Sequence, residues 1–190
     1  MIDRPETISK PGDPLDPDGW HLRPVTLADV DGVHRLASEP LVYRYLFDGA
    51  APKRDSIAEG IGRAIADAAR TQLGLWILQS PRISYAGCVQ LRPDLSAASV
   101  ELIYLLAPAH WGRGLATRMG WTAIAKAFQE PFELVLAGTD GANDASLAVM
   151  RRLGMRFYRH VRYPLGTGLE YALARGDPLP KRQPALLAIG

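Results

Sequence analysis

Pro108-Ala109-His110-Trp111-Gly112-Arg113-Gly114-Leu115-Ala116-Thr117 is the stretch that decides how this chain folds. An apolar run, Val100 to Ala107, leads into it and is broken only by Glu101 and Tyr104. A long pattern of helical spacing follows it. A strand therefore enters a glycine-rich turn, and the turn opens a helix. Such a junction points several free backbone N–H groups and the positive end of a helix dipole at one spot, where an anion binds.

The helix behind the turn is apolar around most of its circumference: Leu115, Ala116, Met119, Trp121, Ala123, Ile124, Ala125, Ala127 and Phe128. Only Arg118, Thr122, Lys126 and Gln129 form a narrow polar stripe. A helix of that kind is buried on most sides, as a crossover helix on the middle of a sheet must be. Pro131 ends it and Phe132 to Ala137 reads as a strand. Strand, helix, strand over this length is a βαβ unit with a parallel strand pair. Upstream, Leu73–Leu78, Ile83–Leu91 and Ala98–Ala107 read as a three-strand antiparallel meander. Further upstream come a first strand at Trp20–Val25 and helices capped by Thr26 and Asp29, at Leu41–Leu46, and from the Ser56–Glu59 capping box. Gly60 and Gly62 weaken that last helix and hint at close packing or mobility. Downstream, a helix from Asn143 or Asp144 to Leu153 ends at Gly154, and Arg156–Arg162 with Gly168–Ala174 reads as a hairpin. The expected fold is α/β (α+β), with a mixed central sheet of about seven strands and about four helices. Residues 1–19 read as a Pro/Asp-rich tail, 20–177 as the domain and 178–190 as a second tail.

Composition narrows the function. The 190 residues are 47% hydrophobic, ordinary for one folded domain, and the net charge is +2. Bulk charge of that size announces no nucleic-acid partner. Without the first 19 residues the chain keeps 20 basic and 15 acidic residues, a mildly basic body that suits an anionic ligand. The single cysteine, Cys88, reads as a buried hydrophobe, and the four histidines lack metal-ligand spacing, so no metal is expected. No apolar run reaches a membrane span and the N-terminus has no apolar leader segment, so the expected location is the cytoplasm, with no membrane partner.

The anion can be narrowed by elimination. A P-loop needs GxxxxGK[ST], which is missing. A dinucleotide turn needs GxGxxG; Gly112 to Thr117 lacks the third glycine and follows a meander. A pyrophosphate carried by a coenzyme such as CoA remains, beside a plain tight turn with no ligand. Here the motifs resemble a known family. Trp111-Gly112-Arg113-Gly114-Leu115-Ala116, then Asn143-Asp144-Ala145-Ser146, then Arg152-Leu153-Gly154-Met155 resemble the GCN5-related N-acetyltransferase (GNAT) superfamily. More closely they resemble its ribosomal-protein N-acetyltransferase branch, where Trp leads the turn. Glu170 to Asp177 resembles that branch's last strand.

The resemblance implies acetyl-CoA as donor and co-substrate. The amides from Gly112 to Thr117, Ala116 and Gly114 included, would hold the pyrophosphate behind Trp111. The Thr117 hydroxyl would add a hydrogen bond, and Arg113 would pair with a phosphate or face water. Amides near Leu105 and Leu106, freed where the two parallel strands splay, would bond the pantetheine arm. Asn143 would contact the arm or cap its helix. Acetyl transfer to an amine needs a base, an oxyanion site and an acid for the thiolate. Glu101, about 13 Å along the strand from Leu105, is the expected base, working through water with a pKa raised by burial, or else an ordinary polar-face residue. Ser146 is the expected acid or a helix-start serine, with Tyr158 and Tyr163 as alternatives. The arginines at 151, 152, 156, 159 and 162 read as a solvated face, or else as a cluster that attracts phosphates or an acidic substrate. The acceptor, a small-molecule amine or a protein N-terminus, would meet Tyr43, Tyr45, Phe47, Asp48, Tyr163 and Glu170, with Asp48 or Glu170 binding an ammonium group. The protein would be a monomer or homodimer. A different class of reading is a non-catalytic CoA-binding sensor with the same turn and no working acid–base pair.

Overall fold

The structure is a computed structural model that describes residues 18–164, 166–180 and 183–190. The side chain of Asp48 lies outside the described part. So do residues 1–17, most of the expected N-terminal tail.

Strand β1 (His21–Pro24) leads through a single 3-10 turn into α1 (Val30–Ala37), α2 (Pro40–Tyr43) and α3 (Arg54–Thr71). Strands β2 (Leu75–Ser80), β3 (Ile83–Asp94) and β4 (Ser99–Leu106) form the meander. Helix α4 (Leu115–Ala127) crosses to β5 (Leu134–Asp140), and α5 (Asp144–Arg152) precedes the hairpin of β6 (Arg156–Tyr163) and β7 (Gly166–Ala174). A last short strand is β8 (Ala188–Ile189). One mixed sheet runs in the order β6-β7-β5-β4-β3-β2-β1-β8. The β4–β5 pair is parallel, as a βαβ crossover requires.

Alternation along the strands sorts side chains to two faces. Leu102 and Leu106 of β4 join Met119, Ile124, Met150 and Leu153 in a core under α4 and α5. Ile77, Cys88 and Leu105 join Val33, Ile57 and Ile61 in a second core under α1 and α3. Burial pushes the Cys88 thiol up to about 12, so it acts as a core hydrophobe.

Asp29 organises the start of α1. It is 3% exposed, yet it accepts bonds from Arg23 at 2.6 and 2.8 Å, the Tyr85 hydroxyl at 2.8 Å and the Thr26 amide at 2.8 Å. The Thr26–Asp29 capping is thus present, extended into a network joining β1, α1 and β3. The Arg23 guanidinium holds the Asp29 carboxyl far below the usual carboxylate range.

Three expectations change. Helix α3 starts at Arg54, before the Ser56–Glu59 box, because Lys53 already has the extended backbone of an N-cap. Gly60 and Gly62 are not packing glycines: a Cβ at Gly60 would meet only the Arg63 guanidinium at 4.0 Å, and one at Gly62 nothing within 4 Å. The C-terminal segment is no loose tail. Leu187 is 1% exposed, its amide donates to Thr122 Oγ1 at 2.9 Å, and Arg118 Nε donates to the Ala185 carbonyl at 3.3 Å. Residues His21 and Leu22 of β1 pair in parallel with β8, which makes the sheet eight-stranded. Two residues of the α4 polar stripe, Arg118 and Thr122, thus bind this segment's backbone, while Lys126 pairs with Glu130.

No helix among the described residues is long and apolar enough to cross a membrane. Among the same residues no group of three or more His, Cys, Asp or Glu could hold a metal ion.

Candidate active site

The site begins where β4 and β5 part. They pair at Ser99–Leu134, Val100–Val135 and Glu101–Leu136, and no further. On its other edge β4 stays paired with β3 up to Leu106–Gly87, and the Ala107 amide donates to the Ala86 carbonyl at 2.8 Å. Backbone groups alternate sides along a strand. The Ala107 bond therefore turns the amides of Leu105 and Ile103 toward β3. The amides of Tyr104 and Leu106 face the opening. Of the two amides expected there, Leu106 is in place, Leu105 is spent on the ladder, and Tyr104 is the added one.

The opening continues into a cleft of about 980 Å³. One wall is the glycine turn. Gly112 and Gly114 have φ of 73° and 75°, left-handed values that glycine adopts without strain, and a Cβ on either would meet nothing within 4 Å. Gly114 is the N-cap of α4, so the first amides of that helix have no side-chain cap and end at open space beside the cleft. Trp111 donates its indole N–H to the Leu106 carbonyl at 2.7 Å. That bond ties the turn to the strand end and satisfies a carbonyl the splay leaves unpaired. Arg113 is turned elsewhere: it pairs with Asp18 and lies 5.7 Å from the Trp20 ring. Thr117, in the first turn of α4, is 8% exposed and lines the cleft. These features fit a diphosphate bound through backbone amides, with the following arm lying in the splay.

The opposite wall is the start of α5. Asn143 caps it, accepting from the Ser146 amide at 3.1 Å while its own amide donates to Thr139 Oγ1 at 2.9 Å. The cap reading of Asn143 is thus realised, and the residue still lines the cleft. Ser146 faces the cleft too, and its Oγ lies 2.7 Å from the Tyr104 hydroxyl. Sequence reasoning passed over Tyr104. The available signal was its place on the Leu102/Leu106 face: a lone hydroxyl on a buried face needs a partner.

Glu101 also lines the cleft, from the opposite face of β4. Its expected burial is not found. The side chain keeps 36% of its exposure and pairs with Arg92, its cross-strand neighbour on β3. Tyr163 reaches the cleft from the hairpin. A Cβ at Gly168 would come within 2.2 Å of its ring and one at Gly138 within 2.1 Å of its hydroxyl, so a side chain at either position displaces Tyr163. Burial raises the Tyr163 pKa, and the nearby charges of Glu101, Glu170 and Asp140 add to the shift.

The other proposed acceptor residues scatter. Tyr43 does not line the cleft; Tyr45 does, and its hydroxyl donates to the Ala142 carbonyl at 3.3 Å. Phe47 lines it as well, at a left-handed φ of 51° unusual for a bulky residue. Glu170 is paired with Arg159 at 2.6 Å and does not line the cleft, so its charge is already balanced. Tyr158 is 52% exposed on β6, away from the cleft wall. Of the basic cluster, Arg152 reaches the cleft.

Solved structures share this architecture at low sequence identity. A ribosomal L7/L12 alpha-N-protein acetyltransferase, RimL, in complex with coenzyme A matches with a TM-score of 0.69 at 15% identity, over 82% of this chain and 94% of that one. A spermidine N-acetyltransferase from Vibrio cholerae in complex with CoA and spermine matches at 0.70 and 17%, over 82% and 95%. The aminoglycoside acetyltransferase AAC(6')-Ib with coenzyme A matches at 0.67 and 15%, over 82% and 95%. The acetyltransferase (GNAT) domain model matches residues 20–156, which holds the meander, the glycine turn, the splay and α5, and the chain therefore belongs to the GNAT acetyltransferase family.

Proposed function

We propose that this acetyltransferase passes the acetyl group of acetyl-CoA directly to a primary amine within a ternary complex. The observation that carries the reading is the splay itself. The glycine turn and α5 border it beside one sheet face, and Glu101 and Tyr163 approach it from the other. Donor and acceptor thus enter from opposite sides and meet at the free backbone of β4. The similar structures are named for a protein N-terminus, spermidine and an aminoglycoside as acceptors, and an amine is the chemistry common to all three. The Trp-led turn and the Asn143–Ser146 motif favour the ribosomal-protein branch within the family.

In this reading the amides from Gly112 to Thr117 bind the pyrophosphate, and the Leu106 and Tyr104 amides bind the arm and the thioester oxygen. Glu101, held by Arg92, collects the amine's proton through water. Ser146 gives a proton to the departing sulfur.

Release of CoA thiol from acetyl-CoA, followed over a panel of N-terminal peptides, polyamines and aminoglycosides, tests this. At least one amine should stimulate release. Glu101→Gln and Ser146→Ala should each lower kcat by about 100-fold; an unchanged kcat removes that residue from the mechanism. CoA that raises the melting temperature while no amine stimulates release would make the protein a sensor.

A further inference from the structure

Ser146 is held in a way that a proton donor needs and a helix cap does not. Its backbone amide is already satisfied by Asn143 Oδ1. Its hydroxyl faces a second hydroxyl, on a different element. Tyr104 Oη lies 2.7 Å from Ser146 Oγ and 3.2 Å from the Ser146 carbonyl oxygen. A phenol carries one proton, and here both of its acceptors belong to one residue. The pair therefore has two arrangements. With the phenol proton on the carbonyl, the serine hydroxyl donates to Oη and its proton turns away from the cleft. With the phenol proton on Oγ, the serine proton is free to point into the cleft that both side chains line. Burial pushes the Tyr104 phenol up to about 12, against the opposing effect of its Ser146 bond, so it keeps its proton at working pH.

We propose that Tyr104 is a positioning residue for acetyl transfer: by donating to Ser146 Oγ it turns the serine proton toward the sulfur of the leaving CoA and holds the oxygen that gives that proton up. The inference rests on the acid role proposed for Ser146. A C–N bond forms between amine and acetyl carbon. The C–S bond breaks, its electron pair goes to sulfur, and sulfur takes the serine proton. Ser146 recovers a proton from water in the cleft, and Glu101 gives up to water the proton it collected from the amine nitrogen. An acceptor bound as ammonium loses one further proton, which leaves to solvent. Tyr104 ends with the proton it started with.

The test compares Tyr104→Phe, Ser146→Ala and the double variant of the full chain, using the best amine of the panel. Single-turnover rate, the dissociation constant for CoA and melting temperature are read for each. Tyr104→Phe should slow the acetyl-transfer step about tenfold and leave CoA affinity within about twofold. The double variant should be no slower than Ser146→Ala, because Tyr104 acts only through Ser146. Tyr104→Phe at the wild-type rate, or a double variant whose loss is the product of the two, overturns the proposal while leaving Ser146 as the acid. Ser146→Ala at the wild-type rate overturns the acid role and this proposal with it. Should Tyr104→Phe not fold, 2,3-difluorotyrosine at position 104 keeps the ring and acidifies the phenol. At a pH where that phenol is ionised and tyrosine is not, it can no longer donate to Ser146 Oγ, and transfer should slow about tenfold relative to wild type at the same pH; an equal rate overturns the proposal.

Discussion

The proposed donor side and the proposed acceptor side of the cleft are built on different principles. The donor side is mostly backbone, and much of it is contiguous: β4, the turn from Trp111 to Gly114, and the first turn of α4 follow one another in the chain. Its chemistry comes from amides that a strand end and a helix start leave free. The acceptor side is assembled from side chains of distant segments: Phe47 after α2, Glu101 on β4, Tyr163 on β6. Backbone chemistry is set by local conformation and survives most substitutions. Side-chain chemistry depends on how remote elements dock, and it can be retuned one residue at a time.

The largest expected effect tests whether the acceptor side depends on remote docking. Asp29 anchors α1, and through it the segment carrying Phe47, to β1 and β3. Asp29→Asn leaves Arg23 without its charged partner, keeping only its bonds to Gln79 and the Pro24 carbonyl, and should cost about 3 kcal/mol of stability at neutral pH, by chemical denaturation. The pH dependence follows from the depressed carboxyl. Its stabilisation is full above the unfolded carboxyl's ordinary value of about 4 and is lost as pH falls below that value toward the folded one. Wild type should therefore lose stability steeply on acidification and Asp29→Asn less so; parallel curves would remove Asp29 as the anchor.

Next comes Gly114→Val, aimed at the donor side alone. A β-branched residue at a φ of 75° is strained by about 1–2 kcal/mol, and the turn must shift to relieve it. CoA affinity, by calorimetry, should fall at least about tenfold, with the sheet core intact because no neighbour stands within 4 Å of the new Cβ. Retained affinity would sink the pyrophosphate assignment. The smallest effect should come from Gly138→Ala, aimed at the acceptor side. The new methyl collides with the Tyr163 hydroxyl and displaces the ring. The KM for the amine should rise about fivefold, for a cost of about 1 kcal/mol, while CoA affinity stays the same. An equal loss of CoA affinity would show that the two sides are not separable.

The same asymmetry explains how legible the sequence was. The turn, the crossover helix behind it and the parallel pair were readable because each rests on local spacing and glycine placement. The Asn143 cap was readable for the same reason. Tyr104 escaped because its partner is 42 residues away. The docking of residues 185–189 on α4 escaped likewise, since Thr122 and Leu187 are 65 residues apart. Tyr43 and Glu170 were polar residues on the right segments that turned away from the cleft or into an ion pair.

The sequence by itself determined that a strand runs into a glycine turn opening a buried helix, because backbone conformation follows from side-chain periodicity and from where φ can be positive. Tertiary structure alone decided which amides stay free, since that depends on where β5 leaves β4. It also decided that the Ser146 hydroxyl meets a phenol, and that Tyr163 lies over two glycines. Each of these is a contact between distant segments, and no local pattern encodes the partner.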